Sequence, residues 1–283
     1  IVRTWPLRGT LHFVAAQDVH WMLDLLAART IRRNAARQLR EHGMDERVMR
    51  RARTGVRRAL SGGGAMTRDE LYAVIGSEQG LHLVWRLEHE KLICFGARRG
   101  KQQTFVLLDE WIPPSRGITP ADPLEELARR YFRSHGPATA EDFAWWAGIP
   151  LSEARRVTPG RIEERVRASA SVHLLPPFDE YTVAYADRSA ILDPRYARRV
   201  NAGGGIINAV IVLRGQVVGT WKRTLSRAEV NVAPTLFREL TRAERSSLER
   251  ELARYAAFVG RTRAAAHPER DRAEGPGGGA DEE

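Results

Sequence analysis

At 283 residues the chain can bury two or three small cores, and 43% hydrophobic with 28% charged residues suits a globular protein rather than a disordered one. No apolar run approaches the ~20 residues that cross a bilayer, and a single cysteine, Cys94, excludes an intrachain disulfide or a cysteine-rich zinc site. The formal charge is +10, carried almost wholly by arginine because Lys91, Lys101 and Lys222 are the only lysines, and it points to a polyanionic partner.

Residues 1–14 predict a β-hairpin turning at Arg8–Gly9, with Leu11 and Phe13 on one face. The abrupt start reads as the wing that ends a winged helix whose helices precede residue 1. Residues 15–28 predict a helix with Val19, Met22, Leu23 and Leu26 inward. Residues 31–41 predict a strongly basic helix whose Arg32 and Arg33 are placed to meet phosphates, a solvated helix face being the alternative. An arginine-rich helix over 45–60 and a glycine linker at 61–65 follow.

Residues 67–111 read as helix, turn, helix and hairpin. Thr67 and Glu70 form a capping box. Leu71, Val74 and Ile75 face inward from the first helix, and Leu81, Val84, Trp85 and Leu87 from the second. Strands at 92–96 and 103–108 flank a polar tip at 97–102 that contains Gly100. This is the order of a winged helix. The second helix carries Leu81, His82, Val84, Trp85, Glu88, His89 and Glu90, together too apolar and acidic to read bases. Arg98, Arg99, Lys101 and Gln102 on the wing are therefore the predicted DNA contacts.

A proline-rich linker at 112–122 leads to a second helix-turn-helix pattern. Helices are predicted over 123–134, from Thr139, with Asp142 three residues on, to Ala147, and over 151–157, capped by Ser152, beyond a turn at 148–150. Of the adjacent Trp145 and Trp146, one is expected in the core and the other against a neighbouring domain. Residues 161–166 and 171–175 are expected to pair as this unit's wing. Residues 182–185 and 189–192 then suggest a hairpin, with Arg188 in its turn as a further DNA contact. Strands over 206–213, 216–222 and 229–232 suggest a small antiparallel barrel-like sheet. A closing helix over 242–259 turns Leu248, Leu252, Tyr255 and Phe258 inward.

The expected class is α+β: tandem winged-helix units, then a β-barrel-like region and a C-terminal helix. The expected divisions are the end of a truncated winged helix at 1–14, a central winged helix at 15–111, a further one at 112–175, a β-rich domain at 176–260, and a disordered tail at 261–283.

Few catalytic motifs survive inspection. The glycines at 203–205 lack the lysine and helix of a phosphate loop. No HExxH, Cys–His cluster or GxSxG occurs, so zinc and serine-hydrolase readings fail. Asp179 and Glu180 follow Pro176–Pro177–Phe178. On an extended segment only one of them faces a cleft, where a carboxylate polarises water or stabilises a developing cation. Orienting a neighbouring Arg or Tyr is the structural alternative. His12 with Arg8 and Thr10 forms a second polar cluster. Trp5, Arg8, Thr10, His12 and Asp179 are the candidate cleft residues.

Four segments in order, TWPLRGTLHFV at 4–14, FAWWAGIP at 143–150, LLPPFDEYTVAYADRSAIL at 174–192 and VVGTWKR at 217–223, resemble the AlkZ/YcaQ family of winged-helix DNA glycosylases. The resemblance spans about residues 1–260. It implies tandem winged helices, hydrolysis of the N-glycosidic bond of alkylated or crosslinked bases, double-stranded DNA as partner, and no metal or organic cofactor. A monomer in a cytoplasmic, nucleoid-associated setting is expected. The family's catalytic signature, Gln-apolar-Gln or Gln-apolar-Asp, lies N-terminal to the Thr4–Trp5 motif. Gln17, Gln38, Gln79, Gln102, Gln103 and Gln216 do not reproduce it, so no catalytic residue is assigned. A non-catalytic winged-helix regulator and, more weakly, a protein-interaction module are the competing readings.

Overall fold

The opening hairpin, β1 (Val2–Leu7) and β2 (Thr10–Val14), turns through Arg8 and Gly9, both at positive φ. In this computed structural model, which describes residues 1–76, 79–159 and 171–263, it continues the central sheet instead of standing apart. Arg3 of β1 lies opposite Phe95 of a later strand. The chain divides into two compact units, 1–164 with 184–186, and 165–183 with 187–283.

In the first unit the two helices expected over 15–41 form one, α1 (Val19–His42). No glycine or proline interrupts residues 28–31, so nothing breaks the hydrogen-bond ladder. It ends at Gly43, whose left-handed φ of 59° lets its N–H reach Leu39 O at 2.9 Å. Asp45 caps α2 (Glu46–Leu60), accepting from Val48 N at 2.7 Å. Then come β3 (Met66–Thr67), α3 (Arg68–Ile75), α4 (Gly80–His89), β4 (Ile93–Phe95) and β5 (Thr104–Leu107). The Thr67–Glu70 capping box is formed. The sheet order is β2-β1-β4-β5-β3, antiparallel throughout.

Val56, Leu60, Leu71, Leu87, Ile93 and Phe105 are among the buried core of this unit. One face was misplaced by the periodicity. Leu81 is 54% exposed, and Leu83 is buried in its stead. The inward stripe of α4 runs through Leu83, Val84 and Leu87, and residue 81, two before 83, falls on the opposite side of the helix. Val74 is likewise exposed.

After the short α5 (Leu108–Trp111), helices α6 (Pro123–His135), α7 (Ala140–Ala147) and α8 (Leu151–Val157) pack around Leu127, Tyr131, Phe132 and Phe143. Asp142 closes the α7 capping box, accepting from Thr139 N at 2.9 Å. Trp146 joins the aromatic core beside Tyr131, with ring centroids 4.9 Å apart.

The second unit begins with β6 (Val172–Leu175), followed by α9 (Glu180–Val183) and α10 (Ala197–Val200). A small ribbon, β7 (Asn201–Gly203) and β8 (Ile206–Ile207), precedes β9 (Val210–Leu213), β10 (Gln216–Leu225), β11 (Glu229–Leu236), α11 (Arg242–Phe258) and β12 (Thr262–Arg263). The main sheet runs β12-β11-β10-β9-β6. The alternating strands pair as the sequence suggests, while β12 joins β11 in parallel. Val218, Trp221, Val230 and Val232 face Leu248 and Leu252 of α11.

Two local expectations are corrected. The segment expected as a wing strand over 171–175 pairs instead with β9, Val172 opposite Leu213 and Leu175 opposite Val210. Its proposed partner, 161–166, lies outside the described residues. The hairpin expected at 182–192 is absent: α9 occupies its first strand, because Asp179 caps a helical turn by accepting from Tyr181 N at 2.9 Å. The expected tail lies outside the described residues from 264 onward. No helix among the described residues is long and apolar enough to cross a membrane.

Candidate functional site

Arg8, in the hairpin turn, is where separate motifs of the first unit meet. Its Nη1 donates to Trp145 O at 3.3 Å, and its guanidinium lies over the Trp145 ring, 5.4 Å from the centroid. Gly148, at φ +70°, approaches so closely that a Cβ there would sit 2.8 Å from Arg8 Cγ. On the other side Trp85 Nε1 donates to Gly9 O at 3.3 Å, and a Gly9 Cβ would sit 3.1 Å from the Trp85 ring. The glycines of the RGT and WAG segments thus allow two aromatic elements to close on one turn. Trp145 stays 47% exposed beside Arg8.

Thr10 and His12 stand next to this turn. Thr10 Oγ1 donates to Leu7 O at 2.9 Å, so its contact with His12 Nε2 at 2.8 Å requires the imidazole to donate from Nε2. Thr4 lies directly across the hairpin from His12.

Beneath the hairpin lies a group of buried polar atoms that the sequence reading missed. Glu88 is 0% exposed, and neither carboxylate oxygen has a hydrogen-bond partner. Thr4 Oγ1, Trp5 Nε1 and His89 Nε2 are buried and likewise unpartnered. Burial raises the Glu88 carboxyl well above the usual carboxylate range. The Trp5 indole, close by but outside hydrogen-bond geometry, and the Arg3 guanidinium pull it the other way. Burial pushes His89 down to about 4. Its Nδ1 lies 2.7 Å from Trp85 O and donates to that carbonyl, so the proton of the neutral ring is on Nδ1. Burial thus favours the uncharged form of each group. The expected acidic outer surface of α4 is therefore corrected for Glu88. It stands four residues beyond Val84, on the core face, a spacing that was legible. Cys94 on the adjacent strand is buried and pushed up to about 12 by that burial, which makes it an inert packing residue.

The candidate DNA contacts divide by their engagements. Arg98, Lys101 and Gln102 are exposed at the tip of the β4–β5 hairpin, where residues 99 and 102 pair. Arg99 is instead tied back to Glu70 at 2.7 Å and Ala65 O at 2.8 Å. Arg32 and Arg33 are exposed on α1, with no ion pair to either among the described residues. In the second unit Arg188 is half-buried and donates to Asn201 Oδ1 at 3.2 Å. Asp179 of that unit caps α9 by accepting from the Tyr181 backbone N–H, a role not among those weighed above. Trp5 is partly buried.

The sequence model of the AlkZ-like DNA glycosylases matches residues 1–258, and the chain belongs to that family. The match fixes the class: a DNA-repair family whose substrate is DNA. More narrowly, the chain is similar to the interstrand DNA cross-link repair glycosylase of Streptomyces sahachiroi, 25% identical over 308 residues, covering 93% of this chain and 80% of that protein. The solved structure of the Streptomyces sahachiroi DNA glycosylase AlkZ aligns with a TM-score of 0.69 at 23% identity, over 93% of this chain and 80% of that one, a likeness in fold.

Proposed function

We propose that this protein binds duplex DNA and acts in repair by hydrolysing the N-glycosidic bond of alkylated or crosslinked bases. The observation that carries the reading is the family match across residues 1–258. Alkylation turns the base into a cationic leaving group. The enzyme then needs chiefly to position water and stabilise an oxocarbenium-like sugar. Unstacking is cheapest at a damaged base, which favours reaction there. Exposed Arg98 and Lys101 on the wing and Arg32 and Arg33 on α1 meet phosphates and orient the duplex with little sequence readout. The central α2–β3–α3–α4–β4–β5 segment is the winged helix that carries this wing.

The test is base release from alkylated and from interstrand-crosslinked duplexes, using the complete natural protein. Release above an unmodified duplex is the expected result. The second reading is a non-catalytic DNA-binding regulator. No release, together with strong selection of one operator over random DNA, would favour it.

A further inference from the structure

A cavity of about 720 Å³ opens in the second unit between β10, α11 and the Pro176–Pro177 segment. Two motif segments read in the sequence, around 174–177 and 221–223, meet on its wall. Trp221 and Tyr255 form its floor, packed edge to face with centroids 5.1 Å apart, and the Trp221 N–H is already spent on Leu175 O at 2.9 Å. At its edge stands Phe258, 85% exposed although the periodicity of α11 turns it inward. Arg223 lies over the Tyr255 ring and donates to its hydroxyl. Lys222 is exposed, with no ion pair to it among the described residues. Arg254 is bound to Glu251 through Nε and Nη2, at 2.7 and 2.6 Å. Three cations therefore face one carboxylate around an aromatic surface.

An aromatic platform rimmed by excess positive charge suits a ligand with flat faces and an anionic thread. It does not suit an apolar helix, which offers no anion, or an acidic peptide, which offers no rings. We propose that this groove is a nucleic-acid site that takes an unpaired stretch of DNA. One base stacks on Phe258, and the adjoining phosphates meet Lys222 and Arg223. The proposal rests on the DNA-binding reading above and adds to it a strand-binding surface distinct from the wing. Stacking of this kind tolerates any base sequence and is salt-dependent through its phosphate contacts.

The experiment measures binding of an eight-residue oligothymidylate and of a blunt duplex to the full chain by fluorescence anisotropy. Phe258→Ala, Phe258→Leu, Phe258→Tyr and Lys222→Ala are compared with the parent, with melting followed in parallel. Phe258→Ala and Phe258→Leu are expected to weaken oligothymidylate binding by roughly 5- to 100-fold, the usual worth of one stacked base. Phe258→Tyr should restore it, Lys222→Ala should flatten its salt dependence, and duplex binding should stay within about twofold. Three outcomes overturn the proposal: unchanged oligothymidylate binding in Phe258→Ala, equal loss with leucine and tyrosine, or a lowered melting point with binding intact. The last means that Phe258 packs on the chain itself. Duplex binding without oligothymidylate binding removes this site alone, whereas binding of neither removes the DNA-binding reading.

Discussion

Arg99 is held by Glu70. Its Nη1 lies 2.7 Å from Glu70 Oε1, while Glu70 Oε2 accepts from Thr67 N at 2.7 Å and closes the α3 capping box. The Thr67 N–H, and after it Arg99, hold the Glu70 carboxyl below the usual carboxylate range. The β4–β5 hairpin and the start of α3 are thus one polar unit, and the hairpin's charges are not equivalent. Arg98 and Lys101 project from the tip, whereas Arg99 braces it.

The salt dependence of DNA binding should separate these roles. Replacing both Arg98 and Lys101 by alanine is expected to reduce the slope of log K against log salt by up to about 1.8, about 0.9 for each phosphate that the protein no longer neutralises. Arg99→Ala is expected to change the slope by less than about 0.9, short of one whole phosphate, and to loosen the wing. Titrations at several salt concentrations check both. Equal slopes in the double variant and the parent would take the wing out of the interface.

Gly219, in the VVGTW segment, owes its identity to a neighbouring strand. A Cβ on it would sit 2.6 Å from Thr235 O and 3.1 Å from Leu236 Cα, both backbone atoms of β11. Neither can rotate away, so Gly219→Ala must push β10 and β11 apart. The expected cost is ~1–3 kcal/mol, the range of overpacked sites. Denaturant midpoints measure it, and a variant within ~0.5 kcal/mol of the parent, the usual range of neutral surface substitutions, defeats the reading.

Asp142 serves two segments with two oxygens. Oδ2 accepts from Thr139 N at 2.9 Å and from Thr139 Oγ1 at 2.8 Å, and Oδ1 accepts from Ala186 N at 2.9 Å. Tyr131 and Tyr185 reinforce this junction through bonds to Ala184 O and His135 O. Asp142→Ala removes the returning half of the Thr139 capping box and the acceptor of the Ala186 N–H, for an expected loss of about 1–3 kcal/mol in the first unit. Asp142→Asn, which keeps an acceptor, should lose less. The order of the two variants in urea is the measurement, and asparagine as damaging as alanine would contradict it.

These cases mark how far the sequence was legible. The helix starts at Thr67–Glu70 and Thr139–Asp142 read well, because such pairs are local, whereas Ser152 does not cap α8, whose N-cap is Pro150 with no side-chain bond. The β4–β5 hairpin and the β9–β10–β11 meander read well for the same reason, although the strand expected over 206–213 is broken into β8 and β9 in separate sheets. Strand partners did not: residues 172–175 sought a neighbour nearby and found β9 about forty residues on, and pairing at that distance leaves no local mark. The convergence of Arg8, Gly148 and Trp85 was visible only as separate motifs. Glu88 was missed because charge was read as exposure, although its spacing from Val84 placed it inward.

Glu88 and His89 give the pH prediction, and they act in opposite directions. Glu88 is held well above its ordinary 4.5 in the fold. As pH rises past 4.5 the unfolded chain loses a proton that the folded chain keeps, so Glu88 makes stability fall with rising pH until its folded pKa is passed. His89 is held at about 4 against an ordinary 6.5. Between these values the unfolded chain carries a proton that the folded chain lacks, so His89 makes stability rise with pH up to 6.5, by about 3 kcal/mol in all. Above 4.5 the two groups therefore oppose each other in the parent, the His89 rise ending at 6.5 and the Glu88 decline ending at its raised folded pKa. Glu88→Gln keeps the shape of the neutral acid and removes its titration. Relative to the parent, the variant should gain stability steadily above pH 4.5, and its own profile should show the uncovered His89 rise between 4 and 6.5. Denaturation midpoints across pH 4–9 give the difference curve directly, in which groups common to both proteins cancel. A flat difference curve would mean that the Glu88 carboxyl titrates alike in the folded and unfolded chain, and its raised pKa in the fold would have to be abandoned.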